Sequence, residues 1–278
     1  MNIGIIGLGL IGGSMAKAFK QAGMTIYGYD IDSTVTGFVR MSGAIDGTLT
    51  EDTLKQCEVV LVCATPEASE EWLNQHAAVL SKGTIVIDCC GTKRRICSLG
   101  FRLAKENGFT FIGGHPMAGR HQGGYKNSRA DVFRGATMIL TPEKRDDLTK
   151  MTKLKEFFLK AGFGNVAFMT PEEHDDLVAF TSQMTHLAAN AFIKNEEQHE
   201  GKIPFGGSFR DFTRVAELND HMWAELFLEN RDNLLRELRI YIAELKKYEE
   251  ALDAGDEDRL RELLHEGTEK KKNVISRA

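Results

Sequence analysis

The chain has 278 residues, 42% hydrophobic and 27% charged, with only five prolines, an ordinary composition for a folded protein and enough length for two domains. Its net charge of −5, from 35 basic and 40 acidic residues, gives no field that would draw in nucleic acid or an anionic membrane. No run approaches the ~20 apolar residues that span a bilayer, and the first six residues lack the basic segment and cleavage site of a signal peptide, so a cytoplasmic protein is expected.

Up to about residue 170, short apolar runs alternate with helical stretches. Strands are expected at 2–6, 25–30, 58–65, 83–90, 110–114, 136–141 and 165–169, with helices at 14–21, 67–80, 94–105 and 147–161. This alternation predicts an α/β architecture, a Rossmann-type, doubly wound and mostly parallel sheet with helices on both faces. After Thr170 the strand signals stop. Thr170-Pro171-Glu172-Glu173 reads as an N-cap, a proline at the first helical position and an acidic first turn, so a long helix through Phe192 should follow. A glycine-rich loop at 201–207 leads to further helices. Met222, Leu226, Leu234, Leu238, Ile242 and Leu245 stand at helical spacing across 220–254. Unbroken, that helix would run ~50 Å, and a helix so long on a small domain calls for a packing partner. A last helix is expected at 256–271, where Lys270, Lys271 and Lys272 read as a solvated helix end. The domain boundary belongs near residue 170, between residues 1–170 and an all-α part, 171–278.

The cysteines, Cys57, Cys63, Cys89, Cys90 and Cys97, are odd in number and match no zinc spacing. They read as reduced thiols, with adjacent Cys89 and Cys90 facing opposite sides of a strand, and no metal is expected.

Gly7-Leu8-Gly9-Leu10-Ile11-Gly12 is a G-x-G-x-x-G that follows an apolar strand and opens a helix, the setting a dinucleotide-binding turn requires. Gly7 suits the tight turn, Gly9 the approach of the pyrophosphate, and Gly12 close packing of helix on strand. Eighteen residues after Gly12 stands Asp30, placed to accept hydrogen bonds from ribose hydroxyls and to repel a 2′-phosphate. Ile31, Asp32 and Ser33 supply no cation, so NAD is expected rather than NADP. Ala64, Thr65 and Pro66, at the end of the next buried strand, should line the cofactor by shape and backbone contact.

His115 follows the apolar run 110–114 within Gly113-Gly114-His115-Pro116-Met117-Ala118-Gly119. Ligands of open α/β sheets bind beyond the carboxyl ends of the strands, and flanking glycines suggest close approach of a ligand. A dehydrogenase that oxidises an alcohol needs a base for the hydroxyl proton, a task neutral histidine suits near pH 7.

Three segments together resemble the prephenate and arogenate dehydrogenase family of tyrosine biosynthesis: residues 7–14, the stretch Gly114-His115-Pro116-Met117-Ala118-Gly119, and Gly207-Ser208-Phe209-Arg210-Asp211-Phe212-Thr213-Arg214. The resemblance covers essentially the whole chain in order. It implies an NAD-binding Rossmann domain followed by a helical substrate and dimerisation domain, a homodimer, and oxidative decarboxylation of prephenate to 4-hydroxyphenylpyruvate. Arogenate, which carries an amino group in place of the keto group, is the alternative substrate. By this resemblance His115 accepts the substrate hydroxyl, Arg214 holds a substrate carboxylate, His186 is a second substrate-side histidine, and Trp223 closes the partner subunit's site. His174 recurs in the family's Pro-Glu-x-His-Asp segment without an assigned role.

The chain departs from the family pattern at two positions. Where relatives place a serine that bonds both the catalytic histidine and the substrate, Asp88-Cys89-Cys90-Gly91-Thr92-Lys93 puts Gly91, with Thr92 adjacent as a substitute hydroxyl. His121 stands where some relatives carry a glutamate near the site entrance. No appended regulatory domain is expected after the last helix, so any inhibition by tyrosine is expected to be competitive. Two other readings are weaker. A β-hydroxyacid dehydrogenase usually relies on a lysine of the helical domain, but the first long helix presents His186 and only farther on Lys194. An NAD-binding sensor without catalysis is opposed by the presence together of His115, Arg214 and Asp30.

Overall fold

Alternation along the strands sets the architecture. In β1 (Asn2–Ile6), Ile3 and Ile5 join the apolar core on one face and Ile6 the core on the other. β4 (Val59–Val62) does the same, with Val59 and Leu61 on one side and Val60 and Val62 on the other. Strands apolar on both faces need cover on both faces. The computed structural model, which describes residues 1–119, 122–145, 147–195 and 206–275, supplies it. β2 (Thr25–Tyr29), β3 (Gly47–Thr48), β5 (Ile85–Asp88), β6 (Thr110–Pro116), β7 (Thr137–Pro142) and β8 (Asn165–Phe168) complete an eight-stranded sheet in the order β3-β2-β1-β4-β5-β6-β7-β8. β1 to β6 run parallel; β7 is antiparallel to β6, and β8 pairs parallel with β7.

α1 (Leu10–Gln21) and α6 (Leu148–Lys160) cover one face, with Phe19 stacked on Phe157 at a centroid distance of 4.4 Å. Each such ring contributes about 1.5–3 kcal/mol on burial. α4 (Pro66–His76) and α5 (Arg94–Asn107) cover the other through Trp72, Leu73, Ile96 and Leu103. Two short helices, α2 (Ser33–Met41) and α3 (Glu51–Leu54), and the two-residue β3 carry no period long enough to read from sequence. α2 is rich in β-branched residues and glycine, poor helix formers, and starts because Asp32 accepts a hydrogen bond from Thr34 N at 2.9 Å.

The N-cap expected at Thr170 forms, and the structure extends it to a reciprocal capping box: Thr170 Oγ1 accepts from Glu173 N at 3.1 Å, and Thr170 N donates to Glu173 Oε2 at 2.7 Å. The helix runs as α7 (Pro171–Val178), a π-helical turn (Ala179–Gln183) and α8 (Met184–Ile193). α9 (Gly207–Thr213) and α10 (Asp220–Glu229) follow. The single helix expected over 220–254 is interrupted at Asn230 (φ −109°, ψ 27°). Asn230 is fully buried, and its amide nitrogen donates to Asp175 O and to Gln183 Oε1, both at 2.8 Å, while its oxygen accepts from Arg94 at 3.0 Å. These bonds favour a break that apolar spacing alone does not show. α11 (Arg231–Asp253) and α12 (Glu257–Ile275) follow.

The chain forms two compact units, Met1–Asn230 and a second beginning at Arg231. The expected boundary at residue 170 falls inside the first, where the polar bonds around Asp175 and Asn230 tie α7 and α10 to α5. In the second, α11 and α12 pack together, burying Ala251 and Leu263. The lysine run of α12 is a solvated surface: Lys270 pairs with Glu266 at 2.5 Å and Lys272 with Glu269 at 2.7 Å. Among the described residues no helix is long and apolar enough to cross a membrane, and no group of three or more His, Cys, Asp or Glu is placed to hold a metal ion.

Candidate active site

β1, β4, β5 and β6 are parallel neighbours, so their carboxyl ends all lie at one edge of the sheet. The glycine loop extends from β1, Ala64-Thr65-Pro66 from β4 and the segment 89–93 from β5, and His115 lies at the end of β6. The strand order reverses between β2-β1 and β4, and the crevice at such a reversal is where open sheets bind ligands. At ~4.8 Å per strand, β1 and β6 are roughly 14 Å apart across the sheet.

The three glycines of the loop have separate reasons to be glycine. Gly7 has φ +80°, and a Cβ there would sit 2.5 Å from the Cys63 carbonyl oxygen; a Cβ on Gly12 would sit 1.8 Å from Gly7 O. These two are required by the chain itself. A Cβ on Gly9 would meet nothing within 4 Å, so the fold makes no such packing demand there. Leu8 is fully buried, while Leu10 and Ile11 are half-buried at the start of α1. Asp30 is fixed against the loop: Oδ2 accepts from Leu8 N at 2.7 Å and Oδ1 from Asp32 N at 3.0 Å. Thr65 is the N-cap of α4 and Pro66 its first residue, and the Cys63–Ala64 peptide lies against Gly7. The cofactor positions read from sequence thus gather at one edge of the sheet. Cys63 and Cys89 also meet there, unbridged, with Sγ atoms 3.5 Å apart, while Cys90 turns away to Ser69 Oγ at 3.4 Å.

His115 lies within β6 rather than after it, opposite Ile139 of β7. Its Nδ1 is 2.8 Å from His174 Nε2, and His174 Nδ1 is 2.8 Å from Asp175 Oδ1. Asp175 also accepts from Lys93 N at 2.7 Å, Arg94 N at 2.9 Å and Arg94 Nε at 3.2 Å. Burial, then the neighbouring His174 and Lys93, hold His115 well below the ordinary histidine value of 6.5. His174 is lowered as well, chiefly by burial, although its bond to Asp175 pulls the other way. Both rings are therefore neutral at pH 7.

Beneath them Lys93 and Asp88, each with a fully buried side chain, form an ion pair. Asp88 also accepts from Cys90 N at 2.9 Å and Gly114 N at 3.1 Å, so one carboxylate joins β5, β6 and the start of α5. The glycines before His115 are required by this packing. A Cβ at Gly113 would lie 2.1 Å from Thr141 Oγ1 and 2.4 Å from Cys97 Sγ, and one at Gly114 would lie 2.4 Å from Asp88 O.

Thr92 does not supply the substitute hydroxyl. It is 2% exposed, and its hydroxyl donates to Glu229, which also pairs with Arg95 at 3.5 Å. Gly91 faces Leu226, whose Cδ2 would be 3.1 Å from an added Cβ. His186, about three helical turns beyond His174, donates from Nδ1 to Ser182 O at 2.8 Å and packs against Trp223 with ring centroids 4.3 Å apart. Arg214 is exposed at the end of α9 and forms no ion pair with a described residue. Lys194, at the end of α8, is exposed. His121 lies outside the described residues.

The residues that sequence reading left without a role are His174, Asp175, Asp88 and Lys93. Their signals are local and weak: a His-Asp pair just inside a strongly capped helix, and a charge at each end of the loop after β5.

Comparison with known proteins agrees with this geometry. Residues 15–167 match the family described as prephenate dehydrogenase, nucleotide-binding domain, and residues 170–266 match prephenate dehydrogenase, dimerization domain. The prephenate dehydrogenase of Bacillus subtilis (strain 168) is 29% identical over 266 residues, covering 92% of this chain and 71% of that one. The cyclohexadienyl dehydrogenase of Zymomonas mobilis is 30% identical over 277 residues, covering 95% and 93%. Among solved structures, prephenate dehydrogenase from A. aeolicus in complex with hydroxyphenyl propionate and NAD+ superposes with a TM-score of 0.84 at 30% identity, over 99% of this chain and 98% of that one. With a nucleotide-binding sheet, a helical remainder and matches to both family domains, this chain belongs to the prephenate dehydrogenase family.

Proposed function

We propose that the chain is an NAD-dependent dehydrogenase that converts prephenate to 4-hydroxyphenylpyruvate with loss of carbon dioxide, a step toward tyrosine. The observation that carries this reading is His115, a neutral imidazole at the same sheet edge as the glycine loop. Residues 1–170 bind the dinucleotide, and residues 171–278 supply substrate contacts and dimerisation.

The residues at this edge suit NAD. Gly9 leaves open space beside the start of α1, and no acidic residue in the first turn of α1 opposes the phosphates. Asp30, held by Leu8 N, presents its carboxylate at the end of β2, where ribose hydroxyls can donate to it. NAD bound there would supply the acceptor for the hydride leaving C4 of the substrate ring. His115 accepts the C4 hydroxyl proton as the carbonyl forms. Carbon dioxide then leaves, the ring becomes aromatic, and the proton returns to the oxygen as the phenol. Arg214 offers a planar guanidinium with two parallel donors to a substrate carboxylate. His186 and Trp223 form a ring wall on the substrate side, with Trp223 contributing to closure of the partner's site.

The test is NADH formation with prephenate and with arogenate, each offered with NAD and with NADP. Turnover of prephenate with NAD is expected; failure of every pair in a preparation that binds NAD would overturn the reading. Gly9→Ala isolates the cradle. It should raise the KM for NAD about tenfold, a loss of ~1.4 kcal/mol, while the melting temperature barely moves, because the new Cβ meets no protein atom. Unchanged NAD binding would mean that the pyrophosphate lies elsewhere.

We place the enzyme in the cytoplasm as a homodimer. Leu235, Ile242 and Leu245 are exposed on α11 at helical spacing, an apolar stripe of the kind a second copy covers. Light scattering should find a dimer at micromolar concentration, and a monomer there would remove this assignment.

A further inference from the structure

The hydrogen-bond pattern behind His115 determines which of its nitrogens carries hydrogen. Asp175 accepts from two backbone N–H groups and the Arg94 guanidinium. Burial pushes its carboxyl up, but the bonds from His174 and from the Arg94 and Lys93 N–H groups outweigh it and hold it below the usual carboxylate range, so it is ionised and can only accept. His174 Nδ1, 2.8 Å from that carboxylate, therefore carries a hydrogen. His174 is fully buried near Lys93, which disfavours a second proton, so its Nε2 keeps a lone pair. That lone pair faces His115 Nδ1 at 2.8 Å, which must then be the donor. A neutral imidazole with hydrogen on Nδ1 has its lone pair on Nε2.

We propose that His174, backed by Asp175, is the positioning residue that fixes the tautomer of His115 so that Nε2 faces the substrate hydroxyl as a base; this rests on the reading of His115 as that base. Among the described residues, the His115 ring hydrogen-bonds to no side chain but His174. The loop after β5 offers no replacement, because residue 91 is glycine and the Thr92 hydroxyl is committed to Glu229. A single carboxylate performs this duty in Ser-His-Asp triads; here a second imidazole stands between carboxylate and base. When His115 takes the substrate proton on Nε2, its Nδ1–H continues to donate to His174. The positive charge then lies one ring away from Asp175. The other charged groups at this place are Asp88 and Lys93, which neutralise one another beneath the rings, and Arg94, which is held on Asp175.

Nitrogen-15 NMR of histidine-labelled enzyme reads the arrangement without reference to turnover. At neutral pH both His115 and His174 should carry hydrogen on Nδ1, with signals assigned from His115→Asn. Hydrogen on Nε2 of His115 would overturn the proposal. In kinetics His174→Leu should lower kcat about 10- to 100-fold with little change in KM for NAD or prephenate. His174→Gln, whose amide oxygen can accept the Nδ1–H bond, should recover much of that loss. Equal wild-type kcat in both variants would also overturn it. Full turnover by His115→Asn alongside the Nδ1–H pattern would leave the wiring standing and remove the base assignment instead.

Discussion

His115→Asn should lower kcat by ~10²-fold or more, the contribution of a positioned general base, while NAD binding stays within about twofold of wild type because no cofactor contact is altered. Asparagine preserves polarity and approximate size at a position inside β6, so the strand pairing with Ile139 should survive. The pH profile makes the test sharper. A base works only when unprotonated, so activity is full above its pKa and is lost as pH falls through it. Burial first, then His174 and Lys93, set that value well below 6.5. The acid limb of kcat/KM should therefore lie well below pH 6.5 in the wild type and vanish in the variant. The same depression is a stability term: it is fully present above the unfolded value of 6.5 and is lost as pH falls toward the folded one. Full turnover by the variant would assign proton acceptance to another group.

Lys93→Met should destabilise the protein by about 3–5 kcal/mol, the usual cost of stranding one member of a buried ion pair. Burial alone would lower the Lys93 pKa, but Asp88 raises it above its ordinary value of 10.5, so the lysine is charged at any working pH. Without it Asp88 keeps only the N–H groups of Cys90 and Gly114 as buried donors. For a unit of this size, ~2–4 °C per kcal/mol gives a fall in Tm of roughly 6–20 °C, measurable by circular dichroism. Adding Asp88→Asn should recover part of it, since the remaining charge is then removed. An unchanged Tm in Lys93→Met would show that the pair contributes nothing net.

The sequence is most readable where short-range chemistry decides. The turn of the glycine loop and the N-cap at Thr170 are local arrangements that form as expected, and Asp30 stands just past β2, where the sequence puts it. The support for His115 could not be read in this way. His174 is 59 residues from His115, and Asp175 is 82 residues from Lys93, so only the packing of α7 on α5 brings them together. Gly113 and Gly114 show a different kind of failure. Glycine beside a histidine is consistent with ligand approach and equally with crowding by Thr141, Cys97 and Asp88, and the local sequence does not distinguish these. At Asn230 the apolar period continues across a real break, because the buried amide acts through partners far away in the chain.

The contact between Gly91 and Leu226 also constrains how this site can change over generations. A serine at 91 would place its Cβ 3.1 Å from Leu226 Cδ2, and Leu226 is 8% exposed with its carbonyl accepting from Gln183. Such overpacking costs about 1–3 kcal/mol unless the neighbour yields. Where Leu226 does not yield, the two positions are epistatic: a smaller residue at 226 opens the path to a hydroxyl at 91, whereas the reverse order passes through a less stable intermediate. Lineages that carry serine at the position of Gly91 should carry a smaller or differently placed side chain at that of Leu226.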